Sequence, residues 1–226
     1  MNKDKISVIL STFNSANTIE KAIKSILEQT YENFELLICD DYSNDMTSDI
    51  INEYQKSDFR VKSIKNNQNL GLTKSLNKLI DLSIGNMICR HDADDFSNKF
   101  RFEKQVTFIK NNFDVVVSRA IKIEDNNLIP GLSYYFPSRL ITKFKNPFIH
   151  GTLMIKKEVI LKIGKYNENF YYAQDYKLFS DLIKNKFRIK KIFEPLYHLN
   201  TKNNISSNYY KEQKYYSDCV KNGLIP

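Results

Sequence analysis

ISVILSTFNSANTIEKAIKSILEQTYENFELLICDD, residues 6–41, is the stretch that decides the fold. Its opening, ISVILST, is a nearly continuous apolar run, the pattern of a strand covered on both faces. Behind it Ile19, Ala22, Ile23, Ile26 and Leu27 recur at helical spacing, with Asn17 or Thr18 placed to cap the helix. FELLIC, residues 34–39, then reads as a second buried strand. Strand, helix and strand within about 30 residues make a βαβ unit, whose strands run parallel.

The same alternation continues outward. TSDIINEYQK carries Ile50, Ile51 and Tyr54 on one helical face, VKSI (61–64) is a short strand, and LTKSLNKLIDLS repeats the helical spacing through Leu72, Leu76, Leu79 and Ile80. MICRH (87–91) is a fourth strand and RFEKQVTFIKNN the helix after it. The expectation is an α/β fold, Rossmann-like, with a mostly parallel sheet flanked by helices. Beyond residue 115 the pattern loosens into a smaller mixed region. VVVS and IKIE read as separate short strands, 128–149 as an irregular aromatic stretch, and HGTLMI (150–155) as a strand. KEVILKIG and DYKLFSDLIKNK read as helices and FRIKKIF as a strand. The tail NYYKEQKYYSDCVKNGLIP, with tyrosines and lysines at roughly helical spacing, suits a membrane interface or an oligomer contact, though such a face is more often a terminal helix packed on its own domain. With no repeat and no low-complexity linker, 1–115 and 116–226 are two halves of one domain.

Composition excludes several classes. Apolar content of 42% with six glycines predicts a packed globule rather than disorder. Apolar runs such as LIDLSIG are too short to span a bilayer, and MNKDKISVIL carries no small-residue cleavage site of a signal peptide. Cys39, Cys89 and Cys219 are odd in number and widely spaced, which argues against disulfides or a zinc site and for a cytoplasmic setting. The net charge of +8 suits an anionic partner, whether nucleic acid, a membrane face or a phosphorylated small molecule, but it is spread as single lysines on a solvated surface, so charge alone does not choose among them.

Ligands of parallel α/β sheets sit beyond the carboxyl ends of the strands. Polar clusters fall at those ends: Ser11, Thr12 and Asn14 after the first strand, Asp40 to Asp45 after the second, Asn66 to Gly71 with Asn69 after the third. After the fourth comes RHDADD, where Asp92, Asp94 and Asp95 crowd behind Arg90 and His91. Packed carboxylates repel unless a positive group sits among them. A surface loop capping the next helix would use the same residue types. At a central strand end, a hard cation such as Mn²⁺ or Mg²⁺, with positions left open for phosphate oxygens, resolves the repulsion.

ISVILSTFN, CDDYSND, NLGLTKSLN and RHDADD, in that order, together resemble the inverting glycosyltransferases of family 2, which have the GT-A fold. YYAQDYKLF fits a later element of that family, a carboxylate just before a helix. The resemblance implies a nucleotide-sugar-binding half at 1–115 and an acceptor-side half at 116–226. It implies that Ser11 and Asp41 meet the nucleotide base, that Asp92 and Asp94 hold Mn²⁺ or Mg²⁺ with Asp95 in support, and that Asp175 is the catalytic base. His150, in FIHGTLMIKK, lines the diphosphate or acceptor side in that scheme. Relatives carry a histidine near the end of the domain that approaches the metal; in LYHLNTKNNISSN, His198 falls two positions early and Asn200 or Thr201 takes its place. The implied donor is a UDP-hexose or UDP-N-acetylhexosamine. The implied acceptor is a surface-glycan or lipid-linked saccharide, with peripheral contact to the cytoplasmic membrane face and no nucleic-acid partner.

Rivals fit less well. A dinucleotide-dependent oxidoreductase needs G-x-G-x-x-G after the first strand, and STFNSAN has no glycine. A sugar nucleotidyltransferase would open with a glycine-rich phosphate loop, and an aspartate-nucleophile phosphohydrolase would place its D-x-D after the first strand. A catalytically inactive nucleotide-binding relative keeps the fold and loses the chemistry.

Overall fold

The computed structural model describes residues 4–202 and 209–226. The chain runs β1 (Ile6–Thr12), α1 (Ile19–Leu27), β2 (Phe34–Asp40), α2 (Thr47–Ser57), β3 (Val61–Lys65), α3 (Leu72–Leu82), β4 (Met87–Arg90), β5 (Phe96–Ser97) and α4 (Arg101–Lys110). It continues through β6 (Val115–Lys122), β7 (Leu128–Ile129), α5 (Ser138–Ile141), β8 (Met154–Lys156), α6 (Lys157–Lys162), α7 (Gln174–Lys184), β9 (Ile189–Leu199) and α8 (Tyr210–Asn222). Single 3₁₀ turns at Leu132–Tyr135 and His150–Thr152 interrupt the second half.

One sheet carries the molecule, in the order β3-β2-β1-β4-β8-β6-β9-β5, with β7 paired to β6. β1 pairs in parallel with β2 and β4, and β2 with β3, as the buried βαβ runs predict. β8 enters antiparallel between β4 and β6, and β9 lies parallel to β6. The sheet therefore crosses the boundary near residue 115 without a break.

Alternation within β1 explains the two cores. Ile6, Val8 and Leu10 point to one face, against Ile19, Ile23 and Ile26 of α1 and Phe102 of α4. Ile9 points to the other, with Leu76, Leu79 and Ile80 of α3 and Leu178, Phe179 and Leu182 of α7. All are buried, and full burial of such a side chain stabilises by about 1.5–3 kcal/mol.

Three expectations are corrected. VVVS and the first two residues of IKIE belong to one strand, Val115–Lys122, with register shifts around Ser118 and Arg119, whose side chains bond to the Arg119 and Pro130 carbonyls; Ile123 and Glu124 fall in the turn that follows. In HGTLMI, residues 150–152 form the 3₁₀ turn and only Met154 onward joins the sheet. Of FRIKKIF, only Ile189 onward is strand, and that strand runs on to Leu199, held by β6 along one edge and by β5 at its end. At α1 the cap position is Thr18, but its side chain donates to the Ser15 carbonyl rather than capping the helix. No described helix is long and apolar enough to cross a membrane.

Candidate active site

The adjacent carboxyl ends of β3, β2, β1 and β4 build one side of the site. At the end of β1, Asn14 takes a left-handed backbone (φ 49°). Its N–H donates to Ser43 Oγ and its Oδ1 accepts from Asn44 N–H, tying the first loop to the second. Ser11 is half-buried, while Thr12 is buried and its Oγ1 has no partner among the described residues. Asp41 is also buried and accepts three hydrogen bonds, from Asn66 Nδ2 (2.7 Å), Leu70 N–H (2.9 Å) and Gly71 N–H (2.8 Å). Its carboxylate thereby sets the shape of the 66–71 loop, on which Asn69 stands exposed. Gly71 has φ 84°, a conformation that favours glycine.

β4 delivers the acidic cluster. Arg90 is fully buried and its Nη2 pairs with Asp92 Oδ1, while Nε and Nη1 find no partner among the described residues. Burial, and then repulsion from Asp92, push Asp94 up to about 6. Burial and the charges of Asp92 and Asp94 push Asp95 well above the usual carboxylate range. Asp95 Oδ1 accepts Asn200 N–H at 2.7 Å, and its buried Oδ2 has no partner among the described residues. Adjacent Glu124 accepts from Thr201 and Lys202, so the chain just past β9 is fastened beside the cluster.

A hard divalent cation fits this donor set. Three oxygen-bearing groups within four residues repel one another, and one arginine neutralises one of them. Among the described residues no group of three His, Cys, Asp or Glu side chains is arranged to hold a metal ion. Asp92 and Asp94 are the pair that would hold one, an arrangement common for hard cations whose other positions are filled by water and phosphate oxygens. His198 is engaged elsewhere, its ring stacked on Phe96 with centroids 4.2 Å apart. Residues 203–208 of the stretch quoted around it lie outside the described residues.

Asp175 enters from the other half, in the first turn of α7. Its Oδ2 accepts Asn146 Nδ2 at 2.6 Å and its Oδ1 the Tyr176 N–H at 2.8 Å, which fix the plane of the carboxylate. Burial raises its pKa, and the Asp92 charge raises it further. His150 Nε2 lies 2.7 Å from Tyr166 Oη, and burial together with Arg90 keeps the imidazole neutral. Arg90, Asp92, His150, Tyr166 and Asp175 thus lie within one another's fields. Asp175 also opens on a cleft of about 490 Å³, lined by Asn146, Phe144 and Lys145 on one side and by Tyr210, Lys214 and Lys221 of α8 on the other.

Sequence reasoning missed the scaffold beneath the cluster. Arg101 is fully buried and donates to Gln105 Oε1, Ser97 Oγ and the Arg90 carbonyl, each at 3.0 Å. Its guanidinium lies over the Tyr197 ring, whose hydroxyl accepts the Asp92 N–H at 3.0 Å. The available signal was Arg101 and Gln105 one helical turn apart on the same face as Phe102 and Val106, where a surface helix carries no polar pair. Gly151 backs this support: a Cβ there would sit 2.5 Å from Tyr197 Oη. Gly151→Ala is expected to cost about 1–3 kcal/mol of stability by displacing that ring, read by denaturant unfolding; an unchanged midpoint would show that the ring is free to yield.

Comparison with known proteins follows the same outline. The model of Glycosyl transferase family 2 matches residues 7–179. An uncharacterized glycosyltransferase of Methanocaldococcus jannaschii is 33% identical over 96% of this chain and 78% of its own length. An Escherichia coli protein, UDP-Glc:alpha-D-GlcNAc-diphosphoundecaprenol beta-1,3-glucosyltransferase WfgD, is 30% identical over 92% of this chain and 82% of its own. The crystal structure of Staphylococcus aureus TarS 1-349 in complex with UDP-GlcNAc superposes with a TM-score of 0.77 at 19% identity, over 96% of this chain and 70% of that one.

Proposed function

Because the chain belongs to glycosyltransferase family 2, we propose that it moves a hexosyl or N-acetylhexosaminyl group from a UDP-activated donor, with inversion, to a hydroxyl of a lipid-linked or surface-glycan saccharide. The observation that carries this reading is that Asp92, at the end of β4, and Asp175, on α7, lie close enough for one charge to raise the other. Two acidic loci, one crowded enough to want a cation and one held free by Asn146, are what sugar transfer from a nucleoside diphosphate requires.

Asp92 and Asp94 would hold Mn²⁺ or Mg²⁺, which supplies Lewis-acid relief of charge on the departing diphosphate. Asp95, bonded to Asn200, braces the loop that presents them. Asp175 takes the proton of the acceptor hydroxyl as that oxygen bonds to the anomeric carbon. The bond from that carbon to the diphosphate oxygen breaks on the opposite face, which inverts the configuration. Ser11, Thr12, Asn14 and Asn69 line the nucleotide side, and Asp41 acts there through the 66–71 loop that it shapes. Arg90 and neutral His150 border the diphosphate side. The UDP donor draws support from the names of the Escherichia coli relative and the TarS complex, and the lipid-linked acceptor from the former.

A thermal-shift experiment tests the donor half. UDP with Mn²⁺ is expected to raise the melting temperature, since ligand at about 100 times its Kd stabilises by about 2.7 kcal/mol. EDTA is expected to cancel most of the gain. A UDP shift of equal size with and without Mn²⁺ would overturn the metal–diphosphate assignment.

A further inference from the structure

The surface beside the cleft does not look like a solvated loop. Between residues 132 and 144, Leu132 (82% exposed), Tyr135, Phe136, Leu140 and Phe144 (73%) are each at least half exposed. Arg139, Lys143 and Lys145 are interleaved with them and also exposed, and none pairs with a carboxylate among the described residues. Scattered exposed apolar residues are ordinary, whereas so many in so short a span mark an interaction surface.

The segment is anchored from beneath. Tyr134 is buried, with its hydroxyl against the Val117 and Ile192 carbonyls, and Lys191 Nζ donates to the Tyr134 and Phe136 carbonyls. Tyr176 Oη donates to the Thr142 carbonyl at the far end. Side chains beneath thus hold the Tyr134, Phe136 and Thr142 carbonyls while the large apolar side chains of the segment face outward.

We propose that residues 132–145 dock on the surface of a bilayer containing anionic lipid. Apolar side chains would enter the headgroup–acyl boundary, and Arg139, Lys143 and Lys145 would meet lipid phosphates, the chemistry of an interfacial membrane contact. A second copy of this chain fits less well: at +8 it brings another basic surface to these cations, while an anionic bilayer complements them. Phe144 and Lys145 also line the cleft that holds Asp175, so the docked protein would turn that cleft toward the membrane plane. The docking rests on the surface alone; only its use, delivery of a lipid-linked acceptor, rests on the reading above.

The test is flotation of the whole protein with phosphatidylcholine vesicles and with phosphatidylcholine–phosphatidylglycerol vesicles, without donor or acceptor. Binding is expected to the anionic vesicles and to weaken in high salt. Leu132→Ser/Phe136→Ser/Leu140→Ser and, separately, Arg139→Gln/Lys143→Gln are each expected to reduce it by about 10-fold or more. Melting temperature and Mn²⁺-dependent UDP binding should be unchanged in both, which separates lost docking from misfolding and from failure of the donor assignment. Wild type that stays with neither vesicle, variants that float as well as wild type, or a wild-type dimer that the triple variant dissolves would each overturn the proposal.

Discussion

Asp175→Asn is expected to lower sugar transfer by about 10²–10⁴-fold, the usual contribution of a positioned general base, while the affinity for UDP and Mn²⁺ stays near the wild-type value. The amide keeps the shape and one acceptor oxygen for Asn146 or the Tyr176 N–H, so the loss would report the missing base rather than a collapsed cleft. The pH profile carries the same information. A base must be ionised, and burial and Asp92 lift the pKa of Asp175 above that of a free aspartate. Activity should rise with pH through that lifted value and fall below it. Asn146 donates to the ionised form and holds the pKa down, so Asn146→Ala should move the acid limb to higher pH. Near-normal turnover in Asp175→Asn, or an acid limb unmoved in Asn146→Ala, would remove Asp175 from the base role.

Asp94→Asn is expected to produce an enzyme that is more stable and nearly inactive. Transfer should fall by about 10²-fold or more with the loss of charge stabilisation at the diphosphate. Stability should move the other way. The folded protein holds the Asp94 proton up to about pH 6, against an ordinary value of 3.8. The ionised carboxylate is therefore a growing penalty as pH rises between those values, and the full penalty is present at pH 8. Asparagine removes it, so metal-free Asp94→Asn should exceed metal-free wild type by about 1–2 kcal/mol at pH 8, with allowance for solvent screening. The gap should close near pH 4, and Mn²⁺ should stabilise wild type far more than the variant. Denaturant melts at the two pH values, with and without Mn²⁺, read all of this; a variant less stable than wild type at pH 8 would show that Asp94 is not crowded.

The first half of the fold was legible because each buried strand advertises itself. ISVILST and FELLIC are apolar throughout, and the helix between them spaces its isoleucines at helical intervals. The second half was not, since its strands owe their position to partners rather than to composition. Met154–Lys156 is three residues long and antiparallel, and β9 continues through Glu194 and Pro195, which local propensity disfavours, because β6 and β5 pair with it. The acidic residues of the site were legible by type and by place at a strand end. Their environment was not: that Asp41 is spent on a loop, that Arg90 is wholly buried, and that Arg101 and Tyr197 carry the acidic loop from below are facts of packing.

The pairing of β5 with β9 bears on synthesis. Asp92 is bonded to Tyr197, and Asp95 to Asn200, each across 105 positions of chain. A ribosome that has made β5 has synthesised every carboxylate of the acidic loop but none of its distant clasp. The nascent protein can thus begin to fold as a parallel α/β scaffold long before its acidic loop is clasped. A translation product ending ahead of Tyr197 would carry the full RHDADD signature and still lack the clasp that organises it.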